Sequence, residues 1–197
     1  MTDDPYIYAG SSVLKNRLGL TDRAALDAAE RQLIRTRAVD GVPTGDFDLA
    51  HLQAIHRHLF QDVYDWAGEI RTVEISKGGH LFIFRQFIAS GMADIHRRLV
   101  VGGFFSGLSL EDFAAKAGSI LGDVNYVHPF REGNGRTQLH YLKQLCGRAG
   151  HPLDLRYIDG VKWIEASRRA HNAEYSPMAA TIRAALSDSR DRAAKGD

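Results

Sequence analysis

Apolar residues recur every three or four positions over most of this chain, and that period predicts helices. Ala25, Leu26, Ala29, Leu33 and Ile34 share one face of a segment from about Asp22 to Val39, which Thr21 or Asp22 can cap. Asp48 to Phe60 repeats the pattern with Leu49, Leu52, Ile55, Leu59 and Phe60 inward. Residues 86–101 carry a stripe of Phe87, Ile88, Met92, Ile95, Leu99 and Val100, stopped by Gly102-Gly103. Ser109, with Glu111 and Asp112 behind it, opens another helix that runs through Phe113, Ala117, Ile120, Leu121 and Val124 to Tyr126. Its small residues Ala115, Gly118, Ser119 and Gly122 admit a close helical neighbour. Leu139, Leu142, Leu145 and Cys146 carry a helix to Arg148, closed by Gly150 and Pro152. Gly160 to Tyr175 forms the next, with Val161, Trp163, Ile164 and Ala170, and Ser176-Pro177 opens a last short one through Leu186.

One stretch breaks the period. Ile70 to Ser76 nearly alternates and is β-branched, Lys77-Gly78-Gly79 is turn chemistry, and His80 to Phe84 is a second strand. A lone hairpin must lean on the helices, and its exposed edge can pair with an extended segment of another protein. The expectation is an all-α domain of seven or eight helices with one β-hairpin over residues 21–186. An irregular N-terminal arm (1–20) packs its apolar side chains on that domain, and a polar tail (187–197) is disordered.

Composition narrows the function classes. A chain of 197 residues, 44% hydrophobic and 25% charged, supports one core. A net charge of +1 gives no bulk pull toward nucleic acid or a membrane surface. No signal peptide and no apolar run long enough to span a bilayer is present, so a cytoplasmic protein is expected; delivery into another cell would leave the same signature. The single cysteine, Cys146, makes no intrachain disulfide and is expected to be a buried, inert thiol. His51, His56 and His58 do not share a helix face, which argues against a metal site.

The chemistry gathers in His128-Pro129-Phe130-Arg131-Glu132-Gly133-Asn134-Gly135-Arg136-Thr137, between two predicted helices. Taken singly, Gly-Asn-Gly is a turn and a histidine before proline a capping residue. Their joint order carries more. A helix start leaves backbone N–H groups unpaired at the positive end of its dipole, and a Gly-rich turn there aims them at phosphate oxygens. Arg136, one residue inside the helix, adds a charged fork, and Glu132 suits Mg²⁺ beside phosphate. His128 can take a proton from an attacking hydroxyl. These parts read as a site for nucleotide-dependent transfer onto a hydroxyl.

The same ten residues resemble the signature of the Fic (filamentation-induced-by-cAMP) family, His-x-Phe-x-Asp/Glu-Gly-Asn-Gly-Arg-x-x-Arg. Every fixed position matches except the last, where the chain has Leu139. The resemblance covers residues 20–186 and implies a helical Fic fold whose hairpin, the flap, registers a target segment, with Lys77, Phe82 and Phe84 as its side chains of interest. It implies transfer of AMP from ATP to a Ser, Thr or Tyr hydroxyl of a protein. His128 would deprotonate the hydroxyl, Phe130 anchor the loop, and Glu132 hold Mg²⁺ between the α- and β-phosphates. Backbone N–H groups of Gly133, Asn134 and Gly135 would form the anion nest, with the Asn134 side chain on the α-phosphate and Arg136 on the terminal phosphates.

Family members act as toxins on the ATPase subunits of bacterial type II topoisomerases, or as effectors on host GTPases. No Ser/Thr-x-x-x-Glu-Gly/Asn inhibitory motif occurs outside the signature. The resemblance therefore implies a separate, small antitoxin-like protein supplying a Glu-bearing helix, as in the two-component branch. Leu139 removes the usual partner of that glutamate and of the γ-phosphate, and Arg131 or another cation could substitute in space. Gly135 favours nucleotidyl over phosphoryl transfer, since the related Doc kinases carry Lys there. Another payload (UMP or phosphate) and a catalytically silent nucleotide-binding module stay open.

Overall fold

The computed structural model describes residues 4–195. Seven α-helices occur among them: α1 (Arg23–Val39), α2 (Leu49–Phe60), α3 (Ile88–Val101), α4 (Leu110–Val127), α5 (Asn134–Arg148), α6 (Gly160–Ala170) and α7 (Ser176–Lys195). A small antiparallel hairpin, β1 (Ser76–Lys77) and β2 (His80–Leu81), lies between α2 and α3, with Lys77 opposite His80. The fold is therefore mostly helical with one hairpin, as the periodicity predicts. Side-chain caps set four of the starts: Asp22 accepts from the Ala25 N–H, Asp48 from His51, Ser109 from Asp112, and Asp159 from Val161 and Lys162.

Helix α4 runs through the middle of the core, with Phe113, Ala117, Leu121 and Val124 fully buried. Two of its glycines let α7 and the turn before it come close. A Cβ at Gly118 would lie 2.7 Å from the Ala179 nitrogen, and one at Gly122 would lie 2.5 Å from the Tyr175 ring. On its other side α4 meets α5, whose Tyr141, Leu142, Leu145 and Cys146 are buried. Burial pushes the Cys146 thiol up to about 12, so it is a core side chain.

Several expectations need correction. The last helix is long, and residues 187–195 continue it where polar composition predicts a disordered tail; residues 196–197 lie outside the described residues. Polar side chains in this stretch are docked: Ser189 Oγ accepts from the Asp154 N–H at 3.1 Å, and Arg190 donates to His151 Nδ1 at 2.5 Å. Helix α6 stops at Ala170, and its buried stripe is Trp163, Ala166 and Ala170. Val161 (81% exposed) and Ile164 (52%) face outward, as do Val100 and Phe87 around α3.

The hairpin is much shorter than the alternation suggests, because a side chain occupies its base. Arg71 donates to the carbonyls of Val73 and Ile83, on opposite sides of the hairpin, where ladder bonds would otherwise run. The Ile83 N–H turns away to the Tyr126 carbonyl at the end of α4. The N-terminal arm folds back through a bridge between Ile7 and Leu14, sets Tyr6 edge-on against Trp66, and pairs Asp4 with Arg131.

Candidate active site

Helix α4 ends at His128, which takes the left-handed conformation (φ 45°, ψ 61°) as the C-terminal cap. That backbone costs about 1–2 kcal/mol in a residue with a Cβ, so its surroundings must hold it. They do so at several points. The His128 N–H donates to the Val124 carbonyl, its own carbonyl accepts from Arg71 Nε at 2.9 Å, and the Phe82 ring stacks on the imidazole at 3.7 Å. Nδ1 lies 3.0 Å from the Asn125 carbonyl. A carbonyl only accepts, so the ring proton sits on Nδ1 and Nε2 keeps its lone pair. Burial, and secondarily the positive charges of Lys77, Arg71 and His171, push the imidazole down to about 3 against the opposing pull of the Asn125 bond. The ring is neutral at physiological pH, the state a proton acceptor needs.

The loop that follows is built on Phe130, which is fully buried. Its ring stacks on His56 of α2 at 3.9 Å. His56 is a fixed neutral tautomer: Nε2–H donates to the Glu132 carbonyl at 3.0 Å, and Nδ1 accepts from the Gly68 N–H at 2.8 Å. Burial pushes it down to about 3 as well. His51 and His58 likewise bond backbone groups, and among the described residues no three His, Cys, Asp or Glu side chains gather as metal ligands.

The side chain of Asn134 differs from expectation. Its Oδ1 accepts from the Phe130 N–H at 3.0 Å, and its Nδ2 donates to the Phe130 carbonyl at 2.8 Å. Both ends of the amide are spent closing the loop, so the group Asn134 can offer a ligand is its backbone N–H at the start of α5. Gly133 (φ 83°) lies flat on Phe60, and a Cβ there would run into that ring. Gly135 is the opposite case: a Cβ would meet nothing within 4 Å, so the space beside this residue in the first turn of α5 is open.

Glu132 and Arg136 face the α1 side. Glu132 Oε1 accepts from the Gly133 N–H at 2.8 Å and from Arg136 at 3.3 Å. Its Oε2 accepts no hydrogen bond from the described residues, and the side chain is half exposed. That suits a Mg²⁺ completed by phosphate and water oxygens. Arg136 also pairs with the buried Glu30 of α1, which in turn accepts from the Tyr64 hydroxyl. A cavity of about 270 Å³ opens beside them, bringing Arg23, Arg31 and Arg131 alongside Arg136; His128 is not among its walls. Arg131 itself is tied to Asp4.

Of the three hairpin side chains, Phe82 covers His128, Lys77 is exposed but close enough for its charge to reach that ring, and Phe84 is 50% exposed. Leu139 is half-buried against the core. Sequence reasoning missed Arg71, Glu30 and the structural part of His56. Only His56 left a signal, because it shares a face with Leu52 and Phe60 at four-residue spacing.

Comparison with known proteins places this geometry among relatives. Residues 46–146 match the Fic/DOC family. The "Probable protein adenylyltransferase y4lH" of Sinorhizobium fredii is 38% identical over 182 residues, covering 92% of this chain and 95% of that protein. The effector protein BepC of Bartonella tribocorum, solved with bound AMPPNP, superposes with a TM-score of 0.83 at 26% identity, covering 91% of this chain and 95% of the other. A Fic domain from Bartonella quintana, solved with bound ADP, superposes with a TM-score of 0.84 at 28% identity, covering 91% and 93%.

Proposed function

Since this chain belongs to the Fic/DOC family, we propose that it is a nucleotidyltransferase working as a protein adenylyltransferase, moving AMP from ATP to a Ser, Thr or Tyr hydroxyl of a protein. One observation carries the reading: a neutral imidazole with its Nε2 lone pair unused stands one short loop from an open helix start. Nε2 takes the hydroxyl proton, the oxygen bonds to the α-phosphorus, and the bond to the β-phosphate bridging oxygen breaks, so pyrophosphate leaves with the electron pair. Backbone N–H groups at Asn134 and Gly135 receive the phosphate charge, and Arg136 turns from Glu30 toward the terminal phosphates. Glu132 would hold Mg²⁺, which neutralises phosphate charge when bound. The transfer gains chiefly from positioning and charge stabilisation.

The relatives that support this reading carry the name adenylyltransferase or were solved with adenine nucleotides. A role as toxin or effector, a topoisomerase subunit or GTPase as target, and restraint by a separate Glu-bearing helix belong to the same proposal. Leu139 bears on it directly, because it withdraws one cation from the terminal phosphate and so keeps other nucleotide payloads in contention. The test is incubation with lysate and α-labelled ATP, with γ-labelled ATP and labelled UTP in parallel. Protein label from α-labelled ATP alone is expected. His128→Ala should reduce it by about 10²–10⁴, the usual scale for losing a general base. Equal labelling in that variant would remove His128 from the role, and label from γ-ATP would make the reaction a phosphorylation.

A further inference from the structure

Arg71 is a large side chain, 2% exposed, and is the one buried arginine among the described residues. Four of the five guanidinium N–H positions are used. Nε donates to the His128 carbonyl at 2.9 Å, Nη1 to the Val73 carbonyl at 2.8 Å and to Glu74 at 3.1 Å, and Nη2 to the Ile83 carbonyl. Its own N–H donates to the Pro129 carbonyl. One planar group therefore joins the residue that bears the imidazole to both sides of the hairpin. Only a fork can do this: a lysine has one nitrogen and cannot reach carbonyls on three segments at once. Next to the Ile83 contact, Phe82 lies flat on the His128 ring.

We propose that Arg71 is a positioning residue for the transfer, setting the register of the hairpin over His128 so that a target segment lying along the hairpin meets Nε2. The helix start that receives phosphate is not among its contacts, so nucleotide binding and target registration are separable. This rests on the reaction proposed above, but the geometric part can be read without it.

The experiment uses Arg71→Lys, which keeps charge and length but loses the fork, and Glu74→Gln, which keeps the arginine but loosens its orientation. In the intact chain the His128 ring protons should be shifted upfield by the Phe82 face, with their resonances assigned by their loss in His128→Ala. Arg71→Lys should abolish that shift and raise KM for the protein target at least tenfold, with the ATP dissociation constant within twofold. Glu74→Gln should move both in the same direction by less, and carries the test if Arg71→Lys does not fold. An unchanged ring shift in folded variants overturns the proposal, whether or not the chain proves to be a transferase. So does a parallel loss of ATP affinity, which would make Arg71 a general support of the fold. If the ring shift vanishes as expected but wild type labels no protein, the geometry stands and the adenylyltransferase reading falls.

Discussion

Gly133 and Gly135 stand two residues apart in one motif and do different work. Gly133 needs both its positive φ and its missing Cβ, because Phe60 fills the space a side chain would take. Gly135 needs neither for folding, since the space in front of it is open. Gly133→Ala should therefore cost about 2 kcal/mol or more of stability, from strain and overpacking together. Gly135→Ala should leave unfolding within about 0.5 kcal/mol of wild type while weakening ATP binding, if its methyl group enters the space proposed above for the nucleotide. Denaturant titration and calorimetric ATP titration separate the two; equal destabilisation would refute the distinction. At this scale the residues that the proposed chemistry needs are legible, because the motif is contiguous. The motif does not show what each polar side chain holds. Arg136 meets Glu30, 106 residues away, and Asn134 turns inward to close its own loop.

Helix starts were legible where a side-chain cap marks them, as at Asp22, Asp48 and Ser109. The hairpin and the chain's end were not, for a shared reason: long-range polar contacts decided them. The Arg71 guanidinium replaces ladder bonds at the hairpin base, and Ser189 and Arg190 tie a polar helix end to the loop after α5. The α4–α7 contact was foreseeable from small residues, and it yields a prediction. Gly118→Leu drives a side chain into the Ala179 backbone and should cost about 1–3 kcal/mol. Gly147, a helical glycine with nothing within 4 Å of the place a methyl group would take, should gain about 0.5–1 kcal/mol on change to alanine. Thermal melts of both variants check the pair, and loss of stability in each would mean that the contact is not what limits substitution.

For the molecule as a whole, buried histidines set the acid limit of stability. His56 and His128 are held down to about 3, and His140 to about 4, in each case chiefly by burial. The unfolded chain binds those protons near pH 6.5, so folding opposes protonation below that value. The contribution is complete above pH 6.5 and is lost as pH falls toward the folded values. Fully buried His56 alone accounts for about 1.4 kcal/mol per pH unit. Ion-paired carboxylates such as Asp62 and Asp154 are also held low, but they act only below about pH 4, so the window from 6.5 to 4.5 belongs to the imidazoles. The melting temperature should fall steadily across that window; a flat profile would contradict the buried, neutral state assigned to them.

The core followed from hydrophobic spacing, and the knuckle proposed to react from its motif. The packing of arm, α1 and hairpin around that knuckle came from contacts between distant segments, which spacing does not encode. A last consequence follows from Cys146. With the chain's one thiol sealed inside α5 and deprotonated only near pH 12, the exterior has no native sulfhydryl to react. A cysteine introduced at exposed Lys77 would be uniquely addressable, so a fluorophore or spin label could report the hairpin's movement against an otherwise silent background.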